Sequence, residues 1–309
     1  MMRAAQPVST VPTLASARGS ERTAEAALDR TVGALAPHAI ARLATRALWD
    51  ELALYPKPGL VSLRDAGAHS DMDASTFVRS LFALRGYFRA IAAAGARAAP
   101  FEQLRTLGQR AERAMLLATG GVNTHRGAIF ALGLLGAASA LASARRERLT
   151  DGAVRATLID AWGADLAFPV PVHSSPSHGT HVSTRYGATG ARGEARAGFP
   201  SVFEVALPAL RAARRQGLDA RRVRLVAFYA LLENVDDTNI LYRGGVAGLV
   251  HVRRSAQAFQ AAGGVGAADG IARAERMHLD FVARGLSPGG CADLLASALL
   301  VDALQTAVA

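Results

Sequence analysis

Residues able to do chemistry gather in four short islands of an otherwise Ala- and Leu-rich chain. The first, ELALYPKPGLVSLRDAGAHSDMD, contains Lys57, the single lysine among 35 Lys and Arg residues. Pro56 and Pro58 stiffen the backbone around it and Gly59 permits a tight turn, so the segment orders at little entropic cost. A compact, rotatable ammonium suits a phosphate where a planar guanidinium does not fit. On that reading Lys57→Arg loses activity while folding normally. Glu51 stands just before the turn as a candidate acid, and His69, Asp71 and Asp73 follow it. The D-x-D spacing can turn two carboxylates toward one hard cation, Mg²⁺ above all. The same triplet also serves in helix caps and solvated turns.

The second island, GGVNTHRGAIFALGLL, reads as a helix start whose free amides and dipole favour an anion. Asn123 or Thr124 can simply cap that helix. A cap leaves His125 and Arg126 unexplained, because cations in a first turn face the positive end of the dipole. In the third island, LLENVDDTNILYRGGVAGL, helical i, i+3 and i+4 spacing puts Glu233, Asp236 and Asp237 on one side. Such a trio calls for a cation, although a surface helix end tolerates it. Asn239, Arg243, Gly244 and Gly245 follow, and the glycine pair allows close approach of backbone to phosphate. The fourth, RGLSPGGCADLL, opens the final helix with Cys291 just inside, read as a small packing residue.

Helices must position these islands. From about residue 37 apolar residues recur at helical spacing: Ile40, Leu43, Ala47, Leu48 and Leu52 fall near one face. Further helices are predicted from Phe77 on and over about 101–119, 125–145, 151–167, 201–216, 220–235, 245–262, 267–284 and 289–307. Few β-branched or aromatic residues, the latter 6%, argue against sheets. The expected fold is all-α, one domain over 37–309, preceded by a flexible leader at 1–36 that is no export signal. Residues 168–200, rich in Gly, Pro, Ser and His, read as a long loop, functional or disordered. His173, His178 and His181 there match no strong zinc spacing. At its end Arg192 suits a phosphate and Glu194 an acid, base or ion-pair partner in a ligand-covering segment.

One cysteine excludes an internal disulfide and points to the cytoplasm. No run of about 18 residues looks apolar enough to span a membrane. A formal charge of +10 points to an anionic partner. Nucleic acid is disfavoured: aromatics for stacking are few and no helix gathers its Arg on one face.

In this order, PKPGLVS, GAHSDMD, GGVNTHRGAIFALGLL, GARGEARAGFP, NVDDTNILYRGG and SPGGCADLLA resemble the triphosphoribosyl-dephospho-coenzyme A synthase family that serves citrate lyase and malonate decarboxylase. The resemblance begins near residue 40 and departs at Cys291, where the family pattern has Ser. It implies an all-helical transferase that joins ATP to 3′-dephospho-CoA and releases adenine. Its product then passes to a transferase acting on an acyl-carrier protein. The long His-rich segment leans toward the malonate decarboxylase branch, and an oligomer is compatible with the sequence.

With that chemistry, Asp71, Asp73, Asp236 and Asp237 are expected to serve Mg²⁺, and Asp71, Asp236 and Asp237 to supply base catalysis. Lys57, His125, Arg126, Arg192 and Arg243, with Gly244 and Gly245, are expected to hold phosphates. Asn123 and Asn239 orient sugar hydroxyls or metal waters, and Glu51 and Glu194 are the candidate acids. The rival readings are a Mg²⁺-dependent nucleotide phosphohydrolase, which would release phosphate from ATP alone, and a basic helical nucleic-acid-binding protein.

Overall fold

A computed structural model describes residues 35–167, 182 and 187–307, and among them helices follow one another without a strand. They are α1 (Pro37–Leu52), α2 (Ala74–Ala96), α3 (Phe101–Thr119), α4 (Arg126–Ala144), α5 (Asp151–Ala167) and α6 (Gly190–Arg196). After a π-helical turn (Ser201–Ala206) come α7 (Leu207–Arg215), α8 (Ala220–Asn234), α9 (Thr238–Ala261), α10 (Gly270–Ala283) and α11 (Gly289–Ala307). The all-α expectation holds. The three His of the 168–186 segment and nearly all of the leader lie outside the described residues.

The bundle is built around α4, which packs on α2, α5 and α11, while α11 also touches α1 and α8. α4 is apolar on every side and buried on nearly every side, as such a helix must be. Its small residues allow close approach: at Gly95 of α2 a Cβ would lie 2.3 Å from the Ala137 carbonyl oxygen. At Gly133 the missing side chain makes room for the Tyr87 ring, whose hydroxyl donates to the Ile129 carbonyl at 2.8 Å. By length and composition α4 and α11 could each cross a membrane, which the sequence reading did not anticipate. Protein buries 83% of the α4 window and 50% of the α11 window, so both are helices of the bundle core.

Two element boundaries differ from the sequence reading in ways that matter for the site. The third island is no continuous helical side. α8 stops at Asn234, Val235 is extended, and α9 begins at Thr238 because Asp237 caps it. α9 then runs through the glycine pair predicted to precede it, with Gly245 (φ 60°, ψ −160°) absorbing a kink that other residues rarely adopt. Second, part of the expected loop at 168–200 is ordered. Glu194 in α6 accepts the Ser201 hydroxyl (2.6 Å) and the Ser201 N–H (3.2 Å), tying α6 to the turn that starts α7.

Candidate active site

Three helix starts, those of α4, α9 and α11, meet at one end of the bundle, and buried carboxylates join them. Asp237 is 1% exposed. Its Oδ1 accepts the N–H groups of Asn239 (2.8 Å) and Ile240 (3.2 Å), which caps α9. Its Oδ2 accepts the N–H of Cys291 at 2.8 Å, which satisfies the start of α11. Asp293, one turn into α11, faces the first turn of α4, where Gly127 leaves room for its Oδ2 and the Ala128 amide favours its charged form. Negative groups are stabilised at such positions by the dipole and by otherwise orphaned amides. Burial nevertheless raises the Asp237 carboxyl, against the three N–H bonds that pull it down. Burial, then the charges of Glu51 and Asp237, raise Asp293 well above the usual carboxylate range.

The lone lysine belongs to the same cluster. Turn 54–69 forms as the prolines and glycine suggest: the Lys57 carbonyl accepts the Leu60 N–H (3.1 Å) and the Gly59 carbonyl that of Ala68 (2.9 Å). Gly59 has φ +71°, and a Cβ there would lie 1.9 Å from the Leu286 carbonyl oxygen, so the turn docks directly on the segment before α11. The turn directs the ammonium inward, where the sequence reading had it presented to a ligand. Lys57 is 1% exposed and its Nζ donates to Glu51 Oε1 at the end of α1; Glu51 is itself 5% exposed. Burial lowers the Lys57 pKa, and Glu51 partly restores it. His278 of α10, also buried, sets Nδ1 3.0 Å from the Lys57 carbonyl oxygen.

His125 is 3% exposed, with Nδ1 2.6 Å from Ser80 Oγ and the Phe77 ring packed edge-on against it. Burial, then the nearby Lys57 charge, lowers its pKa to about 3, so the imidazole is neutral near pH 7. Its Nε2 and the Thr124 hydroxyl are buried without a partner among the described residues. Asn123 accepts the Arg126 N–H at 3.1 Å, although the residue at the N-cap itself is His125, whose side chain makes no capping bond. Arg126 reaches Glu112 of α3 at 3.1 Å, an ion pair that offsets a cation beside the positive end of a dipole.

A second, more exposed group forms the rim. Arg243 donates to the carbonyls of Ala68 (3.1 Å) and Gly285 (3.2 Å) and to His69 Nδ1 (3.1 Å). An accepting Nδ1 leaves Nε2 as the donor to Ser287 Oγ at 2.8 Å. Burial, then Arg243, lowers the His69 pKa. Asp71, 59% exposed, stands 3.4 Å from the same ring nitrogen. Asn239 lies against Gly289, which links the rim to the buried cluster. Gly244 lies under the Leu286 side chain, where a Cβ would come within 2.6 Å of it.

Three of the predicted carboxylates have other commitments. Asp73 caps α2 through Oδ1, accepting from the Thr76 N–H, the Thr76 hydroxyl and the Ser75 hydroxyl, and these bonds hold its pKa at about 2. Asp236 turns outward to Arg253 of α9 at 2.8 Å, and Glu194 is bound to Ser201. Arg192 donates to the Asp165 carbonyl at 2.9 Å, on α5. The structure therefore gathers Glu51, Lys57, His125 and Asp237 in one buried cluster and Arg243, Asn239 and Asp71 beside it. It does not bring Asp73, Asp236, Glu194 and Arg192 to that cluster. Cys291 is buried, and burial and Asp237 raise its thiol well above the ordinary value, so it packs and does not react.

Sequence reasoning missed Asp293. An Asp in a first helical turn reads as an ordinary dipole complement, and only Gly127 hints at more. A Cβ on Gly127 would lie 1.9 Å from Asp293 Oδ2, so that glycine makes room for a carboxylate 166 positions away.

Fold and site together define an all-helical protein with a desolvated acid cluster flanked by arginines, suited to proton transfer on an anionic substrate. Residues 37–309 match the CitG family, described as ATP:dephospho-CoA triphosphoribosyl transferase. A protein from Stutzerimonas stutzeri (strain A1501) named "Probable 2-(5''-triphosphoribosyl)-3'-dephosphocoenzyme-A synthase" is 42% identical over 273 residues, covering 87% of this chain and 92% of that protein. A Klebsiella pneumoniae protein named "2-(5''-triphosphoribosyl)-3'-dephosphocoenzyme-A synthase" is 38% identical over 269 residues, 85% of this chain and 93% of its own length. An Escherichia fergusonii protein of the same name is 38% identical over 271 residues, 83% and 88% of the two chains. No solved structure matches. The chain belongs to the ATP:dephospho-CoA triphosphoribosyl transferase family.

Proposed function

We propose that this chain transfers the triphosphoribosyl group of ATP to 3′-dephospho-CoA and releases adenine. The observation that carries the reading is coverage: proteins named for this product align with the chain over roughly nine-tenths of their own length. The site chemistry agrees. Breaking the bond from ribose to adenine builds oxocarbenium character at the sugar, which fixed carboxylates in a dry site stabilise. Glu51, Asp237 and Asp293 supply such a field, with Lys57 balancing part of it. Arg243 and Arg126 at the opening suit the triphosphate, and Asn239 and Asn123 suit sugar hydroxyls. Binding of phosphate by Lys57 would require its pair with Glu51 to open.

Among the described residues no three His, Cys, Asp or Glu side chains gather to hold an ion by themselves. Asp71 is the most available of the four predicted ligands, since Asp237 is filled by N–H groups, Asp236 by Arg253 and one oxygen of Asp73 by its cap. That donor set fits Mg²⁺ arriving on the triphosphate with its own waters, sharing Asp71, and screening phosphate charge. The cell compartment in this reading is the cytoplasm. We assign the product to the malonate decarboxylase carrier on the His-rich segment of the sequence.

The test is incubation with ATP, MgCl₂ and 3′-dephospho-CoA, followed by mass spectrometry. Adenine and the triphosphoribosyl adduct should appear only when both substrates are present. Phosphate released from ATP alone would replace this reading with hydrolysis. Supplying the product and the downstream transferase to each apo-carrier in turn separates malonate decarboxylase from citrate lyase.

A further inference from the structure

The three carboxylates of the buried cluster are not equivalent. Asp237 has both oxygens filled by backbone N–H groups, and Glu51 is bound to Lys57. Both are almost wholly buried. Asp293 is only half-buried, although protein surrounds it deeply enough to desolvate it, and its Oδ2 lies where Gly127 lacks a side chain. It is therefore partly open to solvent at the converging helix starts, where Arg126, Gly127, Asn239 and Gly289 are partly exposed as well. Gly127 offers no side chain to shield its Oδ2. A second observation lies at the same start of α4. His125 Nε2 and the Thr124 hydroxyl, three and four residues before Ala128, are buried without partners among the described residues.

We propose that Asp293 is the base that removes the proton from the attacking ribose hydroxyl of 3′-dephospho-CoA, a role that rests on the transfer reaction proposed above. The hydroxyl oxygen forms its bond to C1 of the ATP ribose as the C1–N bond to adenine breaks. The bonding pair leaves on adenine, which takes a proton from water. The hydroxyl proton passes to the Asp293 carboxylate and returns to solvent when product leaves. Around Asp293 stand Glu51 from α1, paired with Lys57 of the turn, Asp237 at the start of α9, the Cys291 thiol of its own helix, and Gly127 and Ala128 at the start of α4. Burial, then the negative charges of Glu51 and Asp237, make the carboxylate a stronger base than one in water.

The experiment compares full-length wild type, Asp293→Asn and Gly127→Ala, with ATP, Mg²⁺ and 3′-dephospho-CoA, following adenine release across pH about 5.5 to 9. Asp293→Asn keeps the shape and should lower kcat at least about 100-fold, with KM for either substrate changed less than about threefold. The acid limb of the kcat–pH profile should vanish, and the melting temperature should not fall. Gly127→Ala, which drives a methyl against Oδ2, should lower kcat about 10-fold with native circular dichroism. A variant Asp293→Asn with kcat within about threefold of wild type, or with raised KM and unchanged kcat, overturns the role. If Asp293→Asn fails to fold, an unchanged kcat in folded Gly127→Ala overturns it instead. Wild type that releases no adenine removes the reaction, and the role with it; wild-type turnover matched by Asp293→Asn removes Asp293 alone.

Discussion

Asp236 and Asp237 are adjacent in the chain and differ in almost everything else. Asp236 is 62% exposed at its side chain and reaches Arg253 across the surface. Asp237 is 1% exposed and holds two helix starts together through three N–H groups. The contrast extends to the groups around them. The rim of Asp71, Arg243 and Asp236 keeps its charges in water, where screening makes pairs weak. In the cluster of Glu51, Lys57, His125, Asp237 and Asp293, burial is the largest influence on every resolved pKa shift. The two neighbouring aspartates share residue type; desolvation is what raises the carboxyl of Asp237.

The largest expected effect tests whether the inner charges depend on one another. Lys57→Met should cost about 3–5 kcal/mol in urea unfolding, because it leaves the Glu51 carboxylate buried without its partner beside two other acids. Arg243→Ala, at the rim, should cost no more than about 1 kcal/mol. Equal costs would dissolve the distinction between the two regions. Lys57→Arg belongs to the same test. A lysine presented on a turn predicts normal folding of that variant. Packed at 1% exposure, the position should resist the larger guanidinium by about 1–3 kcal/mol.

Acid titration gives the next effect, with opposite signs inside one cluster. His125 has its folded pKa lowered from 6.5 to about 3. Between those values the unfolded chain binds the proton and the native one does not, so stability falls as pH drops below about 6.5. Over the interval from pH 6.5 to 5 the loss is on the order of 2 kcal/mol, and His125→Gln should flatten it. Asp237 has its folded pKa raised, so its contribution is greatest in acid and is lost as pH rises through the folded value. At exposed Asp73, held at about 2, stability is present above the unfolded value of 3.8 and is lost as pH falls toward 2. Unfolding free energy against pH for wild type and His125→Gln is the measurement. Parallel curves from pH 7 to 5 would put His125 in solvent.

Much of this arrangement was legible in the chain. The all-round apolar pattern of residues 126–144 announces a buried helix, and Pro56, Pro58 and Gly59 announce the turn that carries Lys57. The islands lie at helix starts, as their Gly, Asn and Asp residues suggest. The direction in which each side chain turns was not legible. The start of α9 makes Asp237 a local cap, but the bond that ties it to α11 comes from the Cys291 N–H, 54 residues away, which no local pattern shows. Lys57 looked presented for the same reason: its partner Glu51 is close in sequence, but the burial comes from α10 and the segment before α11. Asp293 was invisible for want of a long-range contact to Gly127.

The adjacent aspartates supply the finest test, since one substitution type is applied at consecutive positions. Asp237→Ala strips three N–H groups of their acceptor at two helix starts and should cost about 2 kcal/mol, the scale of a lost cap plus a buried donor left unpaired. Asp236→Ala removes a solvated pair with Arg253 and should cost about 0.5 kcal/mol or less, falling further as salt is added. The pair of values, read from urea midpoints at low and high salt, carries more than either alone. A salt-insensitive loss at Asp236 comparable with that at Asp237 would mean that Arg253 is part of the buried cluster, beside which the Cys291 thiol already feels its charge. A small, screened loss at Asp236 beside a large, unscreened one at Asp237 places the boundary between solvent and site within a single peptide bond.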